Sequence, residues 1–225
     1  LKTIADDAFK GCTNLKCLIV PPSFADKDAL YWQERGIDIH KTKIVTQEQP
    51  RPLLPQAIIN NTHLTFSTDT TIITKYMVWP YRDTVTHVTI PEGVTTIEER
   101  AFYTGLEGSA FATYTGPTSV TFPDSLTTIE GSAFASCTGL TSVTFPDSLT
   151  TIGSGAFFKC TGLSSITFPN SLTTITAWTF SGCTGLTSIT FPNSLTSIKE
   201  LAFEACTGLT HLTFPDSLKT IADDA

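Results

Sequence analysis

Three histidines occupy the same position in a repeated sequence pattern. His63, His87 and His211 each follow a threonine, and the first two would be neighbours if the repeats stack. Histidine is the commonest metal ligand and titrates near neutral pH, so two stacked imidazoles could bind a metal ion or respond to pH. A zinc site needs more than two protein ligands. We therefore interpret this as a polar position, held by serine in other copies, and predict no metal ligand.

The cysteines form an evenly spaced ladder. Cys137, Cys160, Cys183 and Cys206 follow one another at intervals of 23 residues. Even spacing marks one position of a repeat, whereas disulfide scaffolds pair cysteines at irregular spacings in small chains. We expect buried thiols that pack as small apolar side chains. Cys17 lies outside this ladder, and we expect it to be more exposed.

No residue arrangement in the sequence is typical of a catalytic centre. We find no Ser/His/Asp constellation, no catalytic carboxylate pair and no phosphate-binding loop. The paired acids Asp6-Asp7 and Glu98-Glu99 lie in variable positions, where solvated surface is expected. Asn60-Asn61-Thr62 matches the glycosylation motif, but so short a motif arises by chance. The sequence therefore predicts no enzyme, no catalytic residue and no cofactor.

Charge and hydropathy exclude two kinds of partner. The 225 residues carry a formal net charge of −7, whereas nucleic acids and anionic membranes attract proteins with Lys/Arg-rich surfaces. No apolar run approaches the ~18 residues of a membrane-spanning helix. We predict no nucleic-acid partner and no membrane insertion.

A repeat of 23 residues relates these positions to one another. Three consecutive copies are LTSVTFPDSLTTIGSGAFFKCTG (140–162), LSSITFPNSLTTITAWTFSGCTG (163–185) and LTSITFPNSLTSIKELAFEACTG (186–208). Regular copies begin at residue 117, a longer copy starts at residue 85, and a truncated copy starts at residue 209. Residues 61–84 are predicted to be a degenerate first copy, because their THLTF recurs in the last copy.

Each position in a copy has a physical role. In Leu140–Phe145, apolar residues alternate with Ser142 and Thr144, which predicts a strand with one buried face. Pro146 presets the turn that follows. Residues 156–160 carry apolar side chains at helical spacing, which predicts a helix of one turn ended by a glycine. One copy cannot bury its apolar positions alone, so the copies must stack into a solenoid.

The motif L-x-x-I-x-F-P-[DN]-S-L-x-x-I-x-x-x-A-F-x-x-C-x-G resembles the BspA-like (Treponema-type) leucine-rich repeat. The resemblance covers Val85–Ala225 and Leu1–Pro21. It implies a right-handed α/β solenoid with a parallel sheet on one face and short helices on the other. It also implies a non-catalytic role in adhesion, protein recognition and host–microbe interaction. The expected location is extracellular or the cell surface, with a secreted effector as the alternative.

The repeat is interrupted between the two ends of the chain. Residues 1–48 are predicted to be the tail of an array followed by a strand–helix–strand end cap, with a capping box at Ser23 and the second strand at Lys41–Thr46. Residues 49–60 contain three prolines and are predicted to be a linker. Residues 61–225 then form the main array.

The outward strand positions are the first candidate binding surface. They are Ser119, Thr121, Ser142, Thr144, Ser165, Thr167, Ser188, Thr190, His87, Thr89, His211 and Thr213. Rows of hydroxyls can indicate binding to an ordered surface such as ice or mineral. Threonine is also simply favourable in strands, and sheet twist works against lattice matching. Ordered-surface binding is therefore a remote alternative.

The predicted helix face carries the second candidate surface. Trp178 stands where earlier copies have arginine, serine or glycine, Leu201 follows at the same position, and Phe158 lies in the preceding copy. An exposed apolar patch of this kind marks a partner site. Alternatively, the three side chains pack on one another across the stack.

Together these features favour a scaffold that binds a protein or glycoprotein through its strand face and its variable helix-face positions. The alternative is a structural spacer or self-associating rod within a larger surface protein, because near-identical strands suit a rod. The octapeptide LKTIADDA occurs at both Leu1–Ala8 and Leu218–Ala225, at the same repeat position. We therefore predict complementary ends that allow head-to-tail self-association.

Overall fold

The structure, a computed structural model, describes residues 17–20, 43–46, 57–82, 84–104 and 115–225. The chain divides into two compact units, Leu1–Leu54 and Pro55–Ala225. In the first unit, strand β1 (Cys17–Val20) pairs in parallel with strand β2 (Lys43–Thr46). Both strands were predicted for the end cap. The helix between them, the capping box at Ser23, Asp6-Asp7 and the Cys17 side chain lie outside what the structure describes.

The second unit is a solenoid in which each regular copy contributes a longer and a shorter strand. The longer strands are β4 (His63–Phe66), β6 (His87–Thr89), β8 (Ser119–Thr121), β10 (Ser142–Thr144), β12 (Ser165–Thr167) and β14 (Ser188–Thr190). The shorter strands are β5 (Ile72–Ile73), β7 (Thr96–Ile97), β9 (Thr128–Ile129), β11 (Thr151–Ile152), β13 (Thr174–Ile175), β15 (Ser197–Ile198) and β16 (Thr220–Ile221). They form where apolar and hydroxyl residues alternate, as the sequence predicts.

The strands of successive copies lie side by side in parallel sheets. The longer strands form the sheets β4-β6-β8 and β10-β12-β14, and the shorter strands form β5-β7-β9-β11 and β13-β15-β16. The pairing places equivalent residues opposite each other, so that Ser142 faces Ser165 and Val143 faces Ile166. The parallel solenoid is confirmed, and its right-handed sense stays a prediction.

One antiparallel strand precedes the parallel ones. Strand β3 (Ala57–Asn60) pairs with β4, with Asn60 opposite His63. Ala57 is buried, and Ile59 packs against the core. The segment predicted as a linker therefore gives way to sheet at Ala57, because its last apolar residues cover the start of the array.

The predicted short helices are replaced by hydrogen-bonded turns in the regular copies. Helix α1 (Lys75–Val78) and the 3₁₀ turn Trp79–Tyr81 belong to the degenerate first copy, and they are the only helical segments among the described residues. None of the helices described is long and apolar enough to cross a membrane.

Left-handed residues explain why these segments are turns. Gly155 has a φ of 63° and Lys159 has a φ of 56°, values that a right-handed helix excludes. Alternate amides consequently point along the stack, and the Phe157 N–H donates to the Thr179 carbonyl of the next copy at 2.9 Å. The Phe158 N–H instead donates to the Gly155 carbonyl within its own copy, also at 2.9 Å. The turns thus form a second ladder of hydrogen bonds between copies.

Two columns of phenylalanine run through the core. Rings in the first column lie 4.8 to 5.6 Å apart and nearly parallel: Phe102, Phe134, Phe157, Phe180 and Phe203. Rings in the second column lie 5.3 to 6.2 Å apart: Phe122, Phe145, Phe168, Phe191 and Phe214. Edge-to-face contacts join the columns, as between Phe145 and Phe157 at 5.7 Å. Each aromatic pair contributes roughly 0.5–1.5 kcal/mol beyond burial of its area.

The cysteine ladder lies buried beside the first phenylalanine column, as predicted. Cys137, Cys160, Cys183 and Cys206 are free thiols, and each donates a hydrogen bond of 3.2 Å to a phenylalanine carbonyl of the preceding copy. Burial raises the pKa of all four, to about 12 for Cys183 and about 11 for Cys206. These thiols are inert core side chains at neutral pH.

Replacing Thr70 with valine should stabilise the protein. Thr70 is buried at the position that Val94 and Leu126 occupy in later copies, and within the described part of the chain its hydroxyl has no hydrogen-bond partner. A buried unpaired hydroxyl costs about 1–3 kcal/mol, and valine has nearly the same shape. Chemical denaturation of Thr70→Val should therefore show a free energy of unfolding higher by about 1–2 kcal/mol. Thr144→Val, at an exposed position, is the control, and equal changes in both variants would contradict this account.

The ladder thiols should react with alkylating agents only after unfolding. The pKa of Cys183 rises from 9.0 to about 12, which lowers its thiolate fraction at pH 8 roughly a thousandfold. Iodoacetamide at pH 8 should therefore modify the four cysteines at least about a hundredfold more slowly in the native protein than in denaturant. Peptide mass spectrometry reports each site separately. Comparable rates in the two states would show that the thiols are not buried.

Candidate functional site

The outward face of the longer strands presents uncharged hydroxyls in rows. Ser142 and Thr144 are exposed on either side of buried Val143, and the same pattern recurs in β12. Equivalent residues of neighbouring strands lie about 4.8 Å apart across a sheet, and outward residues of one strand about 6.6 Å apart. The predicted strand-face residues of β6 and β8 therefore share one sheet surface, and those of β10, β12 and β14 share the surface of the next sheet.

These outward hydroxyls differ from the other hydroxyls of each copy. Thr141, Ser148 and Thr150 donate to carbonyls of the preceding copy at 3.4, 2.6 and 3.2 Å. Among the described residues, none of the outward side chains of β10, β12 and β14 makes such a bond: Ser142, Thr144, Ser165, Thr167, Ser188 and Thr190. The hydroxyls of Thr141, Ser148 and Thr150 link neighbouring copies, whereas the outward hydroxyls of β10, β12 and β14 have no such bond within the described residues.

Histidines replace the serines at the first end of the strand face. His63 of β4 lies opposite His87 of β6, so the predicted neighbours do meet. Both are exposed, with ring centroids 6.2 Å apart and planes inclined at 52°. His211 and Thr213 are also exposed, but their segment forms no strand. No group of three or more histidine, cysteine or acidic side chains among the described residues could hold a metal ion.

The predicted helix-face cluster lies on the turn face, which is the face of the solenoid formed by the turns that replace the predicted helices. Trp178 is 41 % exposed and meets Phe158 edge to face, with centroids 6.3 Å apart. The Lys159 ammonium lies 5.0 Å from the centre of the Phe158 ring. Leu201 is half-buried at the same repeat position in the next copy. Trp178 therefore packs against a neighbouring ring and also exposes part of its own ring to solvent, so both interpretations of this cluster hold in part.

The backbone at Trp178 holds the side chain in an unusual conformation. Its φ is 61°, in the left-handed region, and Leu201 has a φ of 58° at the equivalent position. A left-handed conformation costs an ordinary residue about 1–2 kcal/mol. The backbone N–H of Trp178 donates to the Glu200 carbonyl of the next copy at 3.2 Å, so the hydrogen-bond ladder between copies imposes this conformation.

The copy that carries Trp178 also contains buried polar side chains that sequence reasoning missed. Thr179 is fully buried and its hydroxyl lies 2.8 Å from that of Thr176. Ser181 is buried and donates to Glu204 at 3.0 Å. Alanine holds the position of Thr179 in the neighbouring copies, so this break in the Ala-Phe pattern is the signal that could have found it.

A second aromatic cluster, also missed, lies on α1 and the turn after it. Tyr76 and Trp79 are 44 % and 51 % exposed. The Arg82 guanidinium stacks 3.5 Å above the Trp79 ring, and the Lys75 ammonium lies 5.2 Å from the Tyr76 ring. Pairing of Ile73 with Ile97 sets the repeat register of this copy. Counting from that pair gives Tyr76 the same repeat position as Trp178.

A charged cavity of about 220 Å³ lies next to this cluster. It is lined by Lys75, Glu98, Glu99, Arg100 and Glu130. Burial raises the pKa of Glu98, the Glu130 charge raises it further, and Lys75 opposes both. The Glu99 N–H donates to a Glu130 carboxylate oxygen at 3.0 Å. Glu98 is thus partly buried rather than the fully solvated surface acid that the sequence suggested.

Comparison with known families identifies the repeat. The model of the BspA type leucine rich repeat region matches residues 56–107 and 104–225, in six copies. No curated protein matches the chain.

Three solved structures share the fold. A leucine rich cell surface protein from Faecalibacterium prausnitzii A2-165 is 29% identical, with a TM-score of 0.59 over 76% of this chain and 43% of its own. A leucine-rich repeat protein from Bacteroides ovatus is 26% identical, with a TM-score of 0.53 over 76% of this chain and 47% of its own. A leucine-rich repeat protein from Eubacterium ventriosum is 23% identical, with a TM-score of 0.52 over 93% of this chain and 57% of its own. This chain spans less than two thirds of the length of these proteins.

Proposed function

This chain belongs to the BspA-type leucine rich repeat family, and we propose that it is a non-catalytic recognition module for a protein or glycoprotein. The observation that carries the proposal is the exposed pair of Phe158 and Trp178 on the turn face. Exposed tryptophan at a packed, preformed position is typical of the few residues that dominate binding energy at protein interfaces.

The backbone hydrogen bond and the ring packing of Trp178 support this role. Its backbone is fixed by a hydrogen bond to the next copy, and one side of its ring packs on Phe158, so little conformational freedom is lost on binding. The Lys159 ammonium lies against Phe158, and Glu204 of the adjacent copy accepts a hydrogen bond from Ser181, three residues after Trp178. An aromatic centre with a polar rim is the usual composition of a protein interface.

The strand face is the proposed second contact surface. Its hydroxyls in β10, β12 and β14 are exposed and make no hydrogen bonds within the described part of the chain. Such a surface offers many modest donors and acceptors without charge, which suits the hydroxyls and amides of a glycoprotein. We propose an extracellular or cell-surface location, which the F. prausnitzii relative supports through its description as a cell surface protein.

A self-associating spacer is the second candidate. The outward residues of β10, β12 and β14 are nearly identical, as expected of a rod that only displays other domains. Binding to ice or mineral is less favoured, because the strand face is split between the sheets ending at β8 and beginning at β10.

Replacing Trp178 with serine tests the proposal. Extracellular matrix and cell-surface proteins are screened for capture by the wild-type chain, and affinity for the captured partner is then measured by biolayer interferometry. Trp178→Ser should weaken binding by at least about 30-fold, since such anchors contribute about 2 kcal/mol or more. Because Trp178 is exposed, the melting temperature should change little.

Trp79→Ser is the matched control, because Trp79 is a comparably exposed tryptophan elsewhere in the array. It should leave the affinity unchanged. A lower melting temperature with intact binding in Trp178→Ser would instead assign Trp178 to packing. Oligomers in sedimentation velocity, together with no captured partner, would favour the spacer.

A further inference from the structure

The sheet holds His63 and His87 side by side on the strand face. The two residues are partners in the parallel pairing of β4 and β6. The backbone N–H of His87 donates to the Thr62 carbonyl at 3.1 Å. Both side chains are exposed, with ring centroids 6.2 Å apart. The separation of the rings is therefore set by the backbone of the sheet.

Each imidazole has one nitrogen held by a threonine and one nitrogen without a hydrogen-bond partner among the described residues. His63 Nε2 lies 2.8 Å from Thr89 Oγ1, and His87 Nδ1 lies 2.8 Å from Thr86 Oγ1. When the held nitrogen donates its proton to the threonine, the other nitrogen, Nδ1 of His63 or Nε2 of His87, carries a free lone pair. Metal-binding histidines are usually oriented in this way by a hydrogen bond from the second ring nitrogen.

The distance between the rings is close to that required by a shared metal ion. A metal about 2.1 Å from one nitrogen of each ring places the ring centroids about 4.6 Å apart at a right angle, about 5.3 Å apart at a tetrahedral angle and about 6.5 Å apart when the two nitrogens are opposite each other. The observed separation is 6.2 Å, so rotation of these exposed side chains must bring the rings about 1 Å closer for tetrahedral coordination. The outward positions of β3, β4 and β6 carry no lysine or arginine that would repel a cation.

We propose that His63 and His87 form a two-histidine site for a late first-row divalent metal ion such as Ni²⁺ or Cu²⁺. Imidazole favours these metals over Mg²⁺ and Ca²⁺, which prefer oxygen ligands. Water fills the remaining coordination positions. The bound metal ion would add positive charge to the strand face. A donor group of a partner could replace its water ligands. It does not depend on the proposed recognition function.

Calorimetric titration with Ni²⁺ tests the proposal, with tag-free protein in a buffer that does not chelate metals. The wild-type chain should bind one Ni²⁺ ion at this site. His63→Gln and His87→Gln should each weaken binding by at least about tenfold, since even second-shell changes at metal sites cost 10–100-fold. Full affinity in either variant would overturn the proposal.

His211→Gln is the matched control, because His211 has the same repeat position and its Nδ1 also contacts the preceding threonine, at 3.1 Å. Its equivalent in the preceding copy is Ser188 rather than histidine, so this substitution should leave Ni²⁺ affinity unchanged. His40→Gln should also bind normally, and loss of binding in either control would contradict the assignment. X-ray absorption at the nickel edge should count two imidazoles in the wild-type protein, and one or none would refute the site.

Discussion

The stacking of equivalent phenylalanines is the interaction on which the rest of the structure depends. Phe157 is fully buried between Phe134 and Phe180, its counterparts in the neighbouring copies, at 5.3 and 5.5 Å. Each copy therefore supplies the core of the next, and no copy can bury its own apolar side chains alone. The register survives a longer copy, because Phe102 still stacks on Phe134 at 4.8 Å although 32 residues separate them.

This register aligns the polar groups as well as the rings. Strand amides, alternate turn amides and several hydroxyls donate to carbonyls of a neighbouring copy, as the Thr150 hydroxyl does to the Thr127 carbonyl. Because the backbone ladder fixes the turns, residues as different as Ser132, Gly155 and Trp178 share one left-handed position. The frame therefore constrains the conformation of this position but not its side chain. Sequence variation that does not disturb the core can accumulate there, which is the reason for proposing this face as a binding surface.

The sequence predicts the strands and the buried cysteines well, because both follow from short-range patterns. Alternation around Val143 is a local signal of a half-buried strand, and the even spacing of the cysteines reports the repeat itself. The turns were misread as helices because apolar residues at positions 156, 157 and 160 fit either conformation. Glycine would have revealed the left-handed positions, but it appears at Gly155 and Gly182 while Trp178 and Ala205 hold the same positions in other copies.

Parts of the candidate surfaces were harder to predict, because they depend on contacts between copies. Ser142 and Ser148 have the same side chain. Within the described residues, the Ser148 hydroxyl donates a hydrogen bond to the Leu126 carbonyl and the Ser142 hydroxyl makes no such bond. Tyr76 and Trp79 were missed because the first copy is degenerate and lacks the Ala-Phe pair that marks the turn positions of later copies, and the pairing of Ile73 with Ile97 establishes their repeat position. The neighbouring relation of the two histidines, by contrast, was predictable from the repeat alone.

Excision of one whole copy tests the central claim most directly. Deleting Leu163–Gly185 should bring Phe157 onto Phe203 and preserve both ladders, since the two flanking copies present equivalent residues. The shortened chain should unfold cooperatively on heating, with unchanged far-ultraviolet circular dichroism per residue. Replacing Phe157 and Phe180 with alanine in the full chain keeps the repeat length but removes two adjacent rings from the column, and it should abolish the cooperative transition. Similar unfolding curves for the deletion and the double substitution would contradict the claim that the stacked phenylalanines hold the structure together.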